Sequence, residues 1–437
     1  MTEQADKTTT GGLRPPRTPR AMSVAAVVAQ PSGIRFSALE VPLFRWYWVA
    51  SWISSTGDGM ENVIRNVLVY QLAGDAAPFW LGMMVFAHWL PFTLFSLYGG
   101  VLADRYDNRK VQIVAQLLLM TAAVSVAIAT LSGFVTTWWI FGLLLLHGFA
   151  GAIGNPAQQT LIHAMVGPSK LLSAVSLNSS ARQLSQVVGP AVAGFIVLAF
   201  GPGTGFLINA LTFVPLLVLL AVIRVPRLGV TVRQPLLASL RAGLGFVRRR
   251  PLIAALIGVE MTSVIFIGHT FNSFLVLFAY DVLHVDVLGY SFLLVGSGIG
   301  AVGAAVYLAY ARGRRHSGVF VVVAAMTEMA AILLFALSTT YAVSFLLLLA
   351  VGAAAVLTQS LTNTKIQLSA PNELRGRVMG AYTFGTQGMR VLNGPILGGA
   401  AIAFGAPAAV AGAAATVFAV LAVILARVQQ LREREAS

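Results

Sequence analysis

The chain has 437 residues, of which 57% are hydrophobic and only 10% charged, with a mean hydropathy of +0.81 and no cysteine. A soluble domain carries about 25% charged residues, so this composition excludes one, and the solvent around most of the chain must be lipid. The net charge of +14 does not indicate nucleic acid, because the arginines stand in short clusters between apolar runs, and the missing cysteines exclude disulfides, cysteine-ligated metal and thiol chemistry.

In hydrocarbon every backbone N–H and C=O must bond internally, which leaves helices or a closed barrel. The apolar runs are about 20 residues long, the length of a membrane-crossing helix, not the alternating ten-residue segments of a barrel. Residues 1–40 come first. They are polar, basic and rich in Thr, Pro and Gly, and read as a disordered cytoplasmic tail. The apolar patch at Ser23–Ala29 is too short for a signal sequence.

Twelve spans follow, at 44–70, 79–102, 110–131, 138–164, 171–200, 205–223, 252–280, 286–311, 318–337, 341–369, 374–404 and 407–427. The loops after the odd-numbered spans contain no Lys or Arg. The others carry Arg105, Arg109 and Lys110; Lys170; Arg224 through Arg250; Arg312, Arg314 and Arg315; and Arg375 with Arg377. Cytoplasmic loops collect Lys and Arg, so both termini are expected inside and the span count is even. The longest connection, 224–250, separates 41–223 from 251–428, and 429–437 forms a second tail. Its Arg248-Arg249-Arg250 run reads as a topology signal and linker, or as a contact for anionic lipid.

The two parts echo each other. Pro168 precedes Gly189-Pro190 much as Pro371 precedes Gly394-Pro395, which suits parallel repeats of a transporter. The predicted fold is an all-α membrane protein with twelve transmembrane helices in two six-helix pseudo-symmetric halves, both termini cytoplasmic. Substrate would bind between the halves.

Between the second and third spans stands Gly100-Val101-Leu102-Ala103-Asp104-Arg105-Tyr106-Asp107-Asn108-Arg109-Lys110. Gly100 allows a neighbouring helix to approach closely. Asp104 is placed to meet the N-terminus of another helix, whose dipole favours a carboxylate. Pro371-Asn372-Glu373 looks like such a terminus, with Asn372 as its cap. Gly100, Asp104, Arg105, Arg109 and Asn372 are therefore expected to form a latch on the cytoplasmic side.

This loop resembles the signature loop of the major facilitator superfamily, with Asp107 and Asn108 as two departures from it. Gly57-Asp58-Gly59, Asn155-Pro156-Ala157, Gly243 to Pro251 and Pro371 to Arg377 resemble its macrolide-efflux and enterobactin-exporter branch. Gly189, Pro190 and Gly194 are similar to that superfamily's antiporter signature, and Gly394, Pro395, Gly398 and Gly399 match it in full. Proline removes a donor and kinks a helix while glycines allow close packing, so these positions are expected to be pivots.

The resemblance implies that spans one, four, seven and ten line a central cavity. Asp58, Glu61 and Arg65 share one face of span one, and Glu61 can pair with Arg65 at i, i+4. Asp58 is then left without a partner in its helix. Charges inside the membrane cost about 2.5–3.5 kcal/mol each on insertion scales and should face a cavity or a partner. A carboxylate in a partly dry cavity can load and release a proton near neutral pH. Asp58 is the first candidate for that role, ahead of Glu260, Glu61 and Glu328. Glu328 sits on a span that is peripheral in this architecture, which suggests a structural partnership, and Glu61 is expected to serve Arg65.

Arg182, Arg390, Gln158, Gln159, Asn178, Gln359 and Asn363 are candidates for contact with substrate. His88, His147 and His269 lie mid-span and could titrate, although a packing histidine is the commoner case. No phosphate-binding loop is present, nor a soluble domain to house an enzyme, nor a selectivity-filter pattern. The expected function is secondary, proton-coupled export of a small amphipathic molecule across the bacterial inner membrane, without cofactor or metal. The alternatives are siderophore export or a lysophospholipid flippase of the same fold. The expected partners are a small-molecule substrate, protons and membrane lipid, and the superfamily default is a monomer.

Overall fold

The computed structural model describes residues 37–225, 244–311 and 317–436. The side chains of Leu97, Asp104, His269, Asn372, Glu373 and residues from 428 onward are outside the description, as is Gly376. Among the described residues the fold is all-α, without strands. A short 3-10 turn, Ser37–Glu40, leads into α1 (Pro42–Ala73), followed by α2 (Ala77–Arg105), α3 (Asn108–Leu131), the long α4 (Thr137–Thr212) and α5 (Val214–Val222). The second part contains α6 (Pro251–Phe266), α7 (Gly268–Leu277) with a π-turn at Phe278–Val282, α8 (Val287–Tyr310), α9 (Gly318–Leu337), α10 (Tyr341–Ser369), α11 (Asn372–Gly388), α12 (Arg390–Phe404) and α13 (Ala406–Ala436).

Eight helical stretches among the described residues are long and apolar enough to cross a membrane. Two are long enough for more than one crossing: Pro42–Ser96 has 55 residues and Thr137–Val222 has 86. The longest turns at Gly167 (φ 69°) and Gly201 (φ 77°). Both are in the left-handed region that glycine tolerates. Each is followed by a proline, Pro168 or Pro202, whose missing N–H costs nothing at a helix start. The runs expected at 138–164, 171–200 and 205–223 meet at these turns.

One large apolar cluster joins the two parts of the chain. Met60, Val67, Leu81 and Phe206 pack there with Phe274, Phe278, Tyr290 and Leu397. This is the end of the bundle at which α1 stops and α8 begins. At the other end each part has its own cluster, one around Phe44, Tyr47, Leu161 and Leu220 and one around Ile253, Ile366, Val378 and Tyr382. Among the described residues the shared apolar cluster lies at one end, and the clusters at the other belong to one part each.

Several expectations need correction. Ser37–Glu40, assigned to a disordered tail, is ordered: Ala38 is fully buried, its N–H donates to Ser173, and Lys170 bridges to Glu40 at 2.9 Å. The rest of that tail, 1–36, and most of the linker, 226–243, lie outside the described residues. Helix α13 runs on through Ala436, past the expected end at 427.

The seventh and eleventh runs are each two helices. The break at Ile267–Gly268 frees backbone groups that Asn393, itself buried, takes up: its Oδ1 accepts from the N–H of Thr270 at 2.9 Å and its Nδ2 donates to the carbonyl of Ile265 at 3.2 Å. A break without proline is invisible in a hydropathy run, whereas an asparagine meeting both orphan groups stabilises it.

Helix α11 starts at Asn372 with Pro371 in the cap position and no side-chain cap, so Asn372 is not the cap. The extended Pro371 (ψ 150°) turns its carbonyl to accept from Arg375 N–H at 2.8 Å, which starts the helix one residue earlier than expected. Asp107, a departure in the signature loop, is the N-cap of α3 and accepts from Arg109 N–H at 3.0 Å.

Pro190 and Pro395 lie inside continuous helix. Their glycines serve close approach: Gly189 abuts the backbone of Gly59, and Gly394 that of Gly82. Chain reversals and breaks fall elsewhere, because a helix can accommodate proline by bending and needs a positive φ only at a true turn.

Candidate functional site

A cavity of about 450 Å³ lies between helices of both parts. Its wall takes Asp58, Glu61 and Arg65 from α1, His88 and Trp89 from α2, and His147, Gln183 and Gln186 from α4. The second part adds Glu260 from α6, Phe271 from α7, Ser297 from α8, Glu328 from α9, Gln359 from α10 and Arg390 from α12.

One side is built on α1. Glu61 is 8% exposed and has partners from three places in the chain. Arg65, one helical turn on, donates to Oε1 at 3.5 Å, and His147 Nδ1 lies 3.5 Å from the same oxygen. Asn209 Nδ2 donates to Oε2 at 2.9 Å. Arg65 also donates to Asn62. A carboxylate removed from water needs such compensation. Asp58, on the same face, has an Oδ1 that is buried without a hydrogen-bond partner among the described residues.

The other side is built on α6, α9 and α12. Glu260 is 7% exposed and its Oε1 has no hydrogen-bond partner among the described residues. Arg390 places its guanidinium 4.6 Å from the centroid of the Trp89 ring, a cation–π geometry. Glu328 reaches the cavity from α9, a span expected to be peripheral. Gly352 and Ala355 on α10 share that wall, and Gly352 packs against the backbone of Ser297 on α8.

At the joined end of the bundle, Tyr70 donates to Asp281, stacks on Tyr280 at 4.9 Å between ring centroids, and lies one turn from Asn66, which donates to Tyr290 at 3.0 Å. Residues of α1 are thus tied to the π-turn and α8, closing the cavity on that side. Removing the hydroxyl in Tyr70→Phe should loosen this closure. On a background without native cysteine, thiol labelling of Ser273→Cys inside the cavity should accelerate several-fold from the closed side, and an unchanged rate would assign the closure to the apolar cluster alone.

All four expected proton-coupling carboxylates line this one cavity, as do Arg390 and Gln359. Five other candidates do not. Arg182 and Gln159 are exposed, Gln158 donates to Ser51 at 3.3 Å, Asn363 accepts from Gln367 at 2.7 Å, and Asn178 is part-buried off the wall. Of these, Arg182 is near enough to Asp58 for its charge to act on that carboxylate. For the latch, Arg109 donates to the carbonyl of Ile223 at 2.6 Å, capping the end of α5, and Arg105 is exposed. The side chains of Asp104 and Asn372 lie outside the described residues. Asn209 was missed as a member of the site, a polar group in mid-membrane being the available signal, and His147, read first as a packing histidine, faces Glu61. His269, like the histidines a mid-span position, has no described side chain.

A family model described as transmembrane secretion effector matches residues 34–437. The enterobactin exporter EntS of Salmonella choleraesuis is 25% identical over 371 residues, covering 82% of this chain and 85% of that protein. The Shigella flexneri enterobactin exporter EntS is 26% identical over 369 residues, with the same two coverages, 82% and 85%. Among solved structures, a bacterial homolog to the human lysosomal transporter Spinster, inward-facing and unoccupied, aligns with a TM-score of 0.66 at 14% identity, covering 89% of this chain and 95% of that one. A POT family transporter in complex with 5-aminolevulinic acid gives a TM-score of 0.69 at 11% identity, covering 89% and 96%.

At these identities the solved structures show the fold alone, through TM-scores of 0.66 and 0.69. The chain belongs to the transmembrane secretion effector family of the major facilitator superfamily, as a multi-pass protein of the bacterial inner membrane.

Proposed function

We propose that this chain is a secondary active exporter that moves small amphipathic molecules out of the cell in exchange for protons, by alternating access. Its twelve crossings form two groups of six, before residue 223 and after residue 251, with both termini in the cytoplasm. Support for the count comes from the turns at Gly74, Gly167 and Gly201, which divide stretches too long for one crossing of about 20 residues. The loops at the joined end carry no Lys or Arg, which favours placing that end outside. The cavity would then be approached from the cytoplasm, the loading state of an exporter.

The observation that carries the proton role is Asp58, on the cavity wall with a buried oxygen that no described group satisfies. Everted vesicles with an imposed pH gradient test it. Wild-type vesicles should accumulate a fluorescent amphiphile in proportion to the gradient, and Asp58→Asn should reduce that accumulation at least tenfold. Full gradient-driven transport in the variant would move the proton role to Glu260.

A second reading, siderophore export, is favoured by the enterobactin exporters among the relatives. In the same vesicles it calls for accumulation of a catecholate siderophore.

A further inference from the structure

Asn108, Gln112 and Gln116 stand on successive turns of α3, a helix with no residue on the wall of the central cavity. Gln112 is 3% exposed and Gln116 8%. Gln116 Oε1 accepts from the hydroxyl of Ser54, 3.4 Å away on α1 and itself buried, and Asp58 lies one turn further along that helix. A polar row thus runs from the start of α3, beside the exposed Arg105 and Lys110, to Asp58. Around it α3 and α4 pack through Val111, Ala115, Ile153 and Ala157. The part of α4 that meets Gln112 is bare backbone, for a Cβ built on Gly154 would stand 3.5 Å from Oε1.

Three oxygens of the row, Asn108 Oδ1, Gln112 Oε1 and Asp58 Oδ1, are buried without a hydrogen-bond partner among the described residues. Arg182, His147 and Glu61 act on Asp58 through their charges, yet none of them hydrogen-bonds that oxygen. Buried polar atoms in folded proteins are paired, and where no protein group is in reach, water serves. Side chains four residues apart on a helix are offset by about 6 Å along its axis. One water spans that distance with two hydrogen bonds of about 2.8 Å each.

We propose that α3 and α1 hold a row of water molecules through which Asp58 passes its proton to the cytoplasm, apart from the cavity that takes the cargo. This inference rests on the proton role proposed for Asp58. In each step a water gives one proton onward as it receives another from the side of Asp58, while the amides hold the waters and do not titrate. An exporter so built releases its proton while cargo fills the cavity.

An electron cryo-microscopy map of the purified full chain, fine enough to show ordered water, should place water at Gln112 Oε1 and at Asp58 Oδ1. The transport test replaces the amides. Gln112→Leu/Gln116→Leu keeps their bulk and removes their hold on water. In everted vesicles with an imposed pH gradient it should slow ethidium accumulation at least about tenfold, with equilibrium binding of ethidium to the purified chain unchanged. Gln112→Ser/Gln116→Ser, which packs worse but still holds water, should keep most of the rate, whereas a purely structural role for the amides predicts the reverse order. A dry row in the map, full transport in the folded leucine variant, or a serine variant as slow as the leucine one would overturn the proposal. The map decides even if both variants fail to fold. Loss of transport in the leucine variant while Asp58→Asn transports fully upholds the row, moves its end to Glu61 and overturns the Asp58 reading alone.

Discussion

Glu61→Leu should be among the most destabilising single substitutions in the bundle, costing about 3–5 kcal/mol. The carboxylate is 8% exposed and accepts from Arg65 and Asn209 while facing His147. Its loss leaves a guanidinium buried without its counter-charge and an amide without its acceptor. The measurement is thermal unfolding in detergent, read as a marked fall in apparent melting temperature. The double variant Glu61→Leu/Arg65→Leu should recover most of it, because removing both charges of a buried pair is far milder than removing one. If the double variant is as unstable as the single, the cost lies with Asn209 and His147 instead.

The second large effect belongs to helix contact. A Cβ built on Gly394 would lie inside the contact distance of the Gly82 carbonyl and 3.1 Å from the backbone nitrogen of Phe86. None of these atoms ends a flexible side chain, so α2 and α12 must move apart. Overpacking of this kind costs about 1–3 kcal/mol or more, and since the two helices belong to different parts of the chain, transport should fall with stability. Gly399, in the same signature, has nothing within 4 Å of the corresponding position. Gly399→Ala should be neutral or stabilising by up to about 1 kcal/mol. Similar melting temperatures for Gly394→Ala and Gly399→Ala would sink the distinction.

These two glycines also mark what a sequence reading can reach. Both belong to a motif the sequence displays, yet only the neighbour across the bundle distinguishes the one that touches from the one that does not. The same holds for the charges. Asp58, Glu61 and Arg65 were legible because they share one helix, where spacing of three and four fixes a common face. Glu260 and Arg390 were legible as charges inside apolar runs, which hydrocarbon forbids without a purpose.

His147 and Asn209 complete the Glu61 cluster from far along the chain, and no local spacing announces that meeting. Glu328 reaches the cavity from a span that hydropathy alone does not place beside it. The break at Ile267 has no proline, and its stabilising partner Asn393 lies 123 residues from Thr270. Helix existence follows from local composition. Which face turns inward, and what waits there, is decided by partners distant in sequence.

The Glu61 cluster also has a history during synthesis. Arg65 is available to Glu61 within α1 itself, as soon as that helix forms, whereas Asn209 is 148 residues further on. At about 5–20 residues per second, that amide is made roughly 7–30 s later. The helix that carries Asp58, Glu61 and Arg65 must therefore enter the bilayer before the rest of its partners exist, at an insertion cost near 2.5–3.5 kcal/mol for each unpaired central charge. A pair one turn apart is the form of neutralisation that a nascent helix can bring with it, so Arg65 acts as an escort for Glu61 through the translocon, and His147 and Asn209 are late arrivals to an ion pair already housed.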